Sequence, residues 1–313
     1  MTEINDITPF LPQYRAVPPA TDHDITVIVG NAIPIWMITG HNSPMFRRQK
    51  TGSTVCPSCG KLVGVAEKEC WNCGRRNPGM WGFATLLRRV GADFGFTSIV
   101  MWGCGILYLA TLVSDPQGIQ MHGLSILAPS TRSVLIFGAS GMIPVFLYDR
   151  WWTVLSAAWL HGNLLHIIFN LLWIRQLAPA TAELYGASRT VIIYTAASVC
   201  GFLLTSWAGL VFADSSIRFL RGAAVTIGAS ASIFGLLGAL VVYGRRGGSS
   251  HISSQAMTYA VILFVFGFVM PNIDNYAHLG GFLGGYGAAY LLDPLRPERV
   301  DHFIIAVICL VMS

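Results

Sequence analysis

Gly222-Ala-Ala-Val-Thr-Ile-Gly228-Ala-Ser230-Ala-Ser-Ile-Phe234-Gly235-Leu-Leu-Gly-Ala239-Leu-Val-Val-Tyr-Gly244 contains no acidic or basic residue. A helix needs ~20 apolar residues to cross the hydrocarbon core of a bilayer, so this stretch is long enough to span one. Small residues recur in it at intervals of three or four: Gly228, Ser232, Gly235 and Ala239. That spacing lets a second helix approach closely. Five more uncharged windows flank it, Phe94 to Val113, Trp151 to Ile174, Thr190 to Ala213, Gly247 to Ile273 and Asn275 to Leu292. We read six transmembrane helices in an all-α polytopic membrane protein.

Composition agrees. The chain is 53% hydrophobic and 11% charged, against about 25% charged in soluble domains. Its net charge of +5 does not point to nucleic acid, because much of the basic excess flanks the spans. The expected surroundings are a lipid bilayer and other membrane proteins. Ser133 to Tyr148 is uncharged but carries Gly138, Gly141 and Pro144, and reads as a loop in the interface. Phe303 to Met312 is apolar and too short to cross; it reads as the start of a seventh helix or a surface tail. The first 30 residues lack the basic-then-apolar order of a signal peptide. Arg47, Arg48, Lys50, Arg75, Arg76, Arg88 and Arg89 precede the first span, Arg175 and Arg189 bracket the second connection, and Arg245, Arg246, Arg296 and Arg299 follow later spans. The positive-inside rule then puts both termini in the cytoplasm, and a bacterial cell membrane is the expected location.

Residues 1–54 show no pattern. Residues 55–77 hold Cys56-Pro-Ser-Cys59 and Cys70-Trp-Asn-Cys73, each followed by a glycine. Two such knuckles aim four sulfurs at one metal, the pattern of a structural zinc ribbon. Disulfides are disfavoured on the cytoplasmic side. Residues 78–93 read as a linker, 94–294 as the membrane domain and 295–313 as a tail or partial seventh helix. Cys104, Cys200 and Cys309 read as packing residues. Trp151, Trp152 and Trp159 read as an interfacial aromatic belt, and His161 as an interfacial residue.

Polar groups inside spans are costly and mark function. Here they are His166 and Asn170, four apart and so on one helix face with Asn163, then Ser230 and His278. Should Gly222 to Ile227 be loop, Ser230 lies at a helix N-terminus, where free amides and the helix dipole stabilise developing negative charge. Gly280 and Gly284, like Gly281 and Gly285, form GxxxG pairs after His278. Tight packing of the fourth and sixth helices brings His278 toward Ser230. Serine with histidine suits nucleophilic catalysis, and a second histidine with an asparagine suits an oxyanion site.

These residues resemble the rhomboid intramembrane serine proteases. The shared pattern is a histidine four before an asparagine in the second core helix, GxSx opening the fourth and AHxxG in the sixth. The resemblance covers roughly Phe94 to Asp293. It implies a Ser230–His278 dyad and an oxyanion hole from His166, Asn170 and the Ser230 amide. Phe234 matches the aromatic position that packs against the catalytic histidine, and no catalytic cofactor is implied. Glu183, Gly186 and Arg189 resemble the family's connection between the second and third helices. Ala231 stands where many members have glycine. Thr153 follows Trp152 where the family has arginine, which questions the anchoring of the first outer loop.

Other readings compete. Gly138-Ala139-Ser140-Gly141 fits GxSG better than the Ser230 motif, but it precedes the His166 helix and meets Pro144 within four residues. A catalytically inactive rhomboid-like protein that binds or escorts membrane clients would keep the fold without hydrolysis. A metal or proton transporter using His166 and His278 would survive loss of Ser230. The dyad reading implies cleavage of peptide bonds in or next to substrate transmembrane segments.

Overall fold

The computed structural model describes residues 48–84, 91–217, 220–270 and 273–313. The readings of residues 1–47 and of the basic stretch over 85–90 lie outside these.

The first element is a cysteine ribbon. β1 (Ser53–Val55) pairs antiparallel with β2 (Leu62–Gly64). Each knuckle closes with an amide of the glycine donating to the carbonyl of the first cysteine: Gly60 to Cys56 and Gly74 to Cys70, both at 2.9 Å. Gly60 and Gly74 have φ of +72° and +68°, which only glycine adopts without strain. That is why each CxxC carries a glycine next.

The remainder is helical. α1 (Phe96–Ser114) starts after Asp93, whose carboxylate accepts the Thr97 amide at 2.7 Å. A hairpin of β3 (Gln120–His122) and β4 (Ser125–Ala128) and two short helices, α2 (Thr131–Ile136) and α3 (Thr153–Ser156), lead to α4 (Leu164–Tyr185). Then come α5 (Ala187–Val211), α6 (Ser230–Arg246), α7 (Ser250–Val269), α8 (Asn275–Leu291) and α9 (Val300–Met312). Between α2 and α3 the chain forms only a short π-helical turn over Ile143–Leu147, so Ser133 to Tyr148 does not span.

Six helices therefore occupy the six uncharged windows, but not with the expected bounds. By length and composition α1, α5 and α7 can each cross a membrane, and a fourth crossing counts only if the segment Thr153–Trp159 and α4 are taken together across a 94° bend. The second window thus breaks in two. Leu160 is extended, Asn163 caps α4 by accepting the His166 amide at 2.7 Å, and the helix runs on to Tyr185. α6 and α8 are 17 residues each; α6 is shorter than its window because Gly222 to Ala229 are spent outside the helix.

Glycine decides how α5, α6 and α8 meet. A Cβ at Gly281 or Gly285 would strike the backbone of Ala231 or Gly235, so these two face α6. A Cβ at Gly280 would sit 2.7 Å from the Cys200 carbonyl, and one at Gly284 2.5 Å from the Cys200 Cβ, so those two face α5. The two GxxxG pairs share the work, one per neighbour. Gly235 meets Ala197 of α5 and Gly281 of α8 together. α9 packs on α5 and buries Ala306, with Val300, Val311 and Met312 outward.

Trp159 is no belt residue: its ring packs against Gly103 of α1, where a Cβ would lie 2.6 Å away. Trp151 and Trp152 are half exposed. Cys104 is buried; Cys200 is exposed, yet its side chain packs over Gly284 of α8.

Candidate functional site

Ser230 is the first residue of α6. The approach to it is held in extended form. Ser140 and Thr226 exchange amide-to-carbonyl bonds at 3.0 and 2.8 Å, and the amides of Met142 and Ile143 donate to Ala223 and Ala224 at 3.0 Å. On the other side the Gly228 amide donates to Ala157 at 2.9 Å. Gly228 has φ +127°, and a Cβ there would lie 2.7 Å from both Cε1 and Nε2 of His166. So the second residue before Ser230 must be glycine for two reasons, backbone and space. Ser230 itself is half-buried, and its hydroxyl makes no hydrogen bond among the described residues.

His166 lies in the first turn of α4. The Gly162 amide donates to its Nδ1 at 3.2 Å. A neutral imidazole that accepts at Nδ1 carries its proton at Nε2. Nε2 is the nitrogen beside Gly228, so His166 presents an N–H donor toward the Ser230 turn. Asn170, one turn on and 4% exposed, gives one amide hydrogen to the His166 carbonyl at 2.8 Å. Its second amide hydrogen is left over, and its Oδ1 has no partner.

His278 sits in the first turn of α8 and is buried. Its ring stacks on Phe234 with centroids 4.2 Å apart and planes 17° apart. Phe234 is four residues past Ser230, hence on the same face of α6. His278 therefore faces the side of α6 that carries Ser230. Its Nδ1 is buried without a partner, so stacking rather than a carboxylate orients the ring. Ala231, the departure from glycine, is accommodated: its Cβ fills the space left by Gly201, where a side chain would lie 2.7 Å away.

Ser140 is excluded from this cluster. It is fully buried, paired through its backbone to Thr226, and its Oγ accepts from Thr153 at 3.4 Å. Thr153 stands where an arginine was expected, and an arginine lies three residues earlier, on the other side of Trp152. Arg150 donates to the Leu135 carbonyl at 2.8 Å and lies over the Trp152 ring at 4.8 Å. His161 is not interfacial. It is fully buried and packs edge-on against His166 at 5.2 Å, because the break before α4 folds Leu160 and His161 inward.

At the other end, Cys56 Sγ lies 3.7 Å from Cys73 Sγ and Cys59 Sγ 3.6 Å from Cys70 Sγ, with all four within 4.8 Å of one another. These are not disulfides, whose sulfurs are ~2.05 Å apart. A tetrahedral site with ~2.3 Å metal–sulfur bonds has edges of about 3.8 Å, and the four thiols can hold such an ion. Burial raises the Cys56 thiol and pushes Cys73 up to about 12. Burial also raises Cys70, but the amides of Cys73 and Asn72 outweigh it and bring that thiol down to about 7.

Fold and site together define a multi-pass helical membrane protein with histidines, an asparagine and a half-buried serine gathered where α4, α6 and α8 meet. The Rhomboid domain model matches residues 148–294, a little under half of the chain. It is similar to Rhomboid protease GluP of Bacillus subtilis, 32% identical over 58% of this chain and 34% of that one. It is similar too to RHOMBOID-like protein 7 of Arabidopsis thaliana, 27% identical over 53% of this chain and 51% of that one. Rhomboid-like protease 3 of Toxoplasma gondii is 26% identical over 50% of this chain and 57% of that one. The chain thus spans between a third and somewhat over half of these relatives' lengths.

Proposed function

We propose that the protein is an intramembrane serine protease that hydrolyses peptide bonds in or next to the transmembrane segments of membrane-protein substrates. The observation that carries this is the stack of His278 on Phe234, one turn past Ser230. It fixes an imidazole against the helix face of a serine whose hydroxyl is otherwise unengaged. Ser230 Oγ attacks the scissile carbonyl while His278 accepts its proton. His166 Nε2–H, the spare Asn170 hydrogen and the Ser230 amide receive the oxyanion. Its collapse expels the amine, which takes the proton from His278 and leaves a Ser230 ester. Water, deprotonated by His278, then cleaves the ester. Such preorganised donors commonly supply the largest share of acyl-transfer catalysis.

The same reading places the termini in the cytoplasm of a bacterial cell and zinc in the ribbon. Its test is labelling of the solubilised full chain with a fluorophosphonate. The reading expects one adduct, on Ser230, lost in His278→Ala. An adduct on Ser140, or labelling of Ser230 indifferent to His278, would contradict it.

A further inference from the structure

One partly buried carboxylate near the site takes no part in the mechanism above. Asp274 precedes α8, and its Oδ1 accepts the Ala277 amide at 3.0 Å, the bond of an ordinary helix cap. The same oxygen also accepts the hydroxyl of Thr205 on α5 at 3.0 Å. Thr205 Oγ1 in turn accepts the Ala223 amide at 3.1 Å. A hydroxyl has one proton. Ala223 N–H can only donate, so the Thr205 proton goes to Asp274, and the direction of the chain is fixed. Ala223 belongs to the extended segment that leads into Ser230, and its carbonyl accepts the Met142 amide. The neighbouring Gly222 is pressed on α5, where a Cβ would strike the Gly209 amide and the Thr205 carbonyl.

We propose that Asp274 is a positioning residue that sets the register between the helix carrying His278 and the segment delivering Ser230. This rests on the protease reading for its kinetic consequence, but not for its geometry. Asp274 lies one turn before His278, and Ala223 lies seven residues before Ser230. Through Thr205 one carboxylate oxygen holds both approaches to the same point of α5. A cap alone would need only the Ala277 amide. Without the carboxylate the Thr205 proton loses its buried acceptor, and an unmade buried bond is what the structure avoids. The Ala223 amide is then bonded to a hydroxyl whose own orientation is no longer fixed, and the pairing with 140–143 is the firm hold that remains on 223–226.

The test is a double-mutant cycle in the detergent-solubilised full chain, with Asp274→Ala, Thr205→Val and the pair, beside Asp274→Asn, whose amide oxygen still accepts both bonds. Two readouts are taken: cleavage kinetics on a single-span reporter, and backbone hydrogen exchange of residues 221–229. Asp274→Ala and Thr205→Val should each lower kcat by about 10²-fold with KM within about twofold, the size of an ångström-scale misplacement. The pair should be no worse than either single change, and Asp274→Asn should restore kcat to within a few fold. Exchange over 221–229 should quicken in both single variants. Quickening confined to the first turn of α8 in Asp274→Ala, with Thr205→Val indistinguishable from wild type, would reduce Asp274 to a cap and overturn the proposal. Exchange is read whether or not the wild type cleaves. A wild type that does not cleave would sink the protease reading, while the exchange pattern would still decide the coupling.

Discussion

Asn163 shows how a single side chain sets the chemistry of another. By capping α4 it starts the helix so that His166 falls in the first turn, where the Gly162 amide can reach back to Nδ1. That bond assigns the proton to Nε2, on the side of Gly228. If His166 and Asn170 receive the oxyanion, Asn170→Ala should lower the cleavage rate by 10²–10³-fold, the usual size for one lost oxyanion donor. Steady-state kinetics with KM unchanged would support the role, and near-wild-type turnover would remove it. The residue types at Ser230, His278, His166 and Asn170 were legible in sequence because ionisable and polar groups stand out in apolar windows. Asp274 and Thr205 were not. An aspartate at a window's edge looks like a span boundary, and a threonine inside a helix usually bonds its own backbone. His161 was misread because its burial depends on a chain reversal that no periodicity signals.

At the scale of elements, the junction of α6 with α8 depends on backbone-to-backbone approach rather than on side-chain interlock. Gly281 lies against the Ala231 carbonyl, and a backbone atom cannot swing aside. Gly281→Ala should therefore destabilise the folded chain by about 1–3 kcal/mol, as overpacking does, and lower activity by moving His278 away from Ser230. Gly287, on the same helix, has open space where a Cβ would go. Gly287→Ala should be neutral or slightly stabilising, by up to about 1 kcal/mol, through helix propensity. Thermal unfolding of the two variants in one detergent checks both; equal effects would show that the close contact is not what holds the helices. The glycine spacing was visible in sequence, but which pair faces which helix was not. That choice depends on α5 filling the opposite side of α8, a tertiary fact. The bounds of α4 were equally hidden, because Trp151 to Ile174 is uncharged throughout and only the Gly162–Asn163 cap reveals the break.

At the scale of the whole molecule, the ribbon and the helical region touch through polar contacts. Ser58, inside the first knuckle, accepts from Arg75 at 2.5 Å and donates to the Glu298 carbonyl at 3.4 Å. The Glu298 carboxylate accepts the Arg189 amide at 3.0 Å, and the Arg189 guanidinium holds the carbonyls of Leu292 and Asp293 at 3.0 and 2.6 Å. The ribbon's own apolar interior is small, Val63 beside the cysteines, so its folding should depend on its ion. Purified protein should contain about one zinc per chain by elemental analysis. Metal binding displaces thiol protons, so affinity falls as pH falls, and acidification or a chelator should release the ion. Protease cutting within 53–77 should then rise while the helices stay intact. Metal-free protein with a protease-resistant ribbon would contradict the zinc assignment. The ribbon was plain in sequence because metal ligands impose their own spacing, independent of packing.

The most direct test of the central claim is cleavage of a single-span reporter by the purified full chain in lipid, wild type beside Ser230→Ala and Ser140→Ala. The account predicts cleavage by wild type and by folded Ser140→Ala, and none by Ser230→Ala. Cleavage that survives Ser230→Ala would contradict it, and so would a folded wild type that leaves every reporter intact.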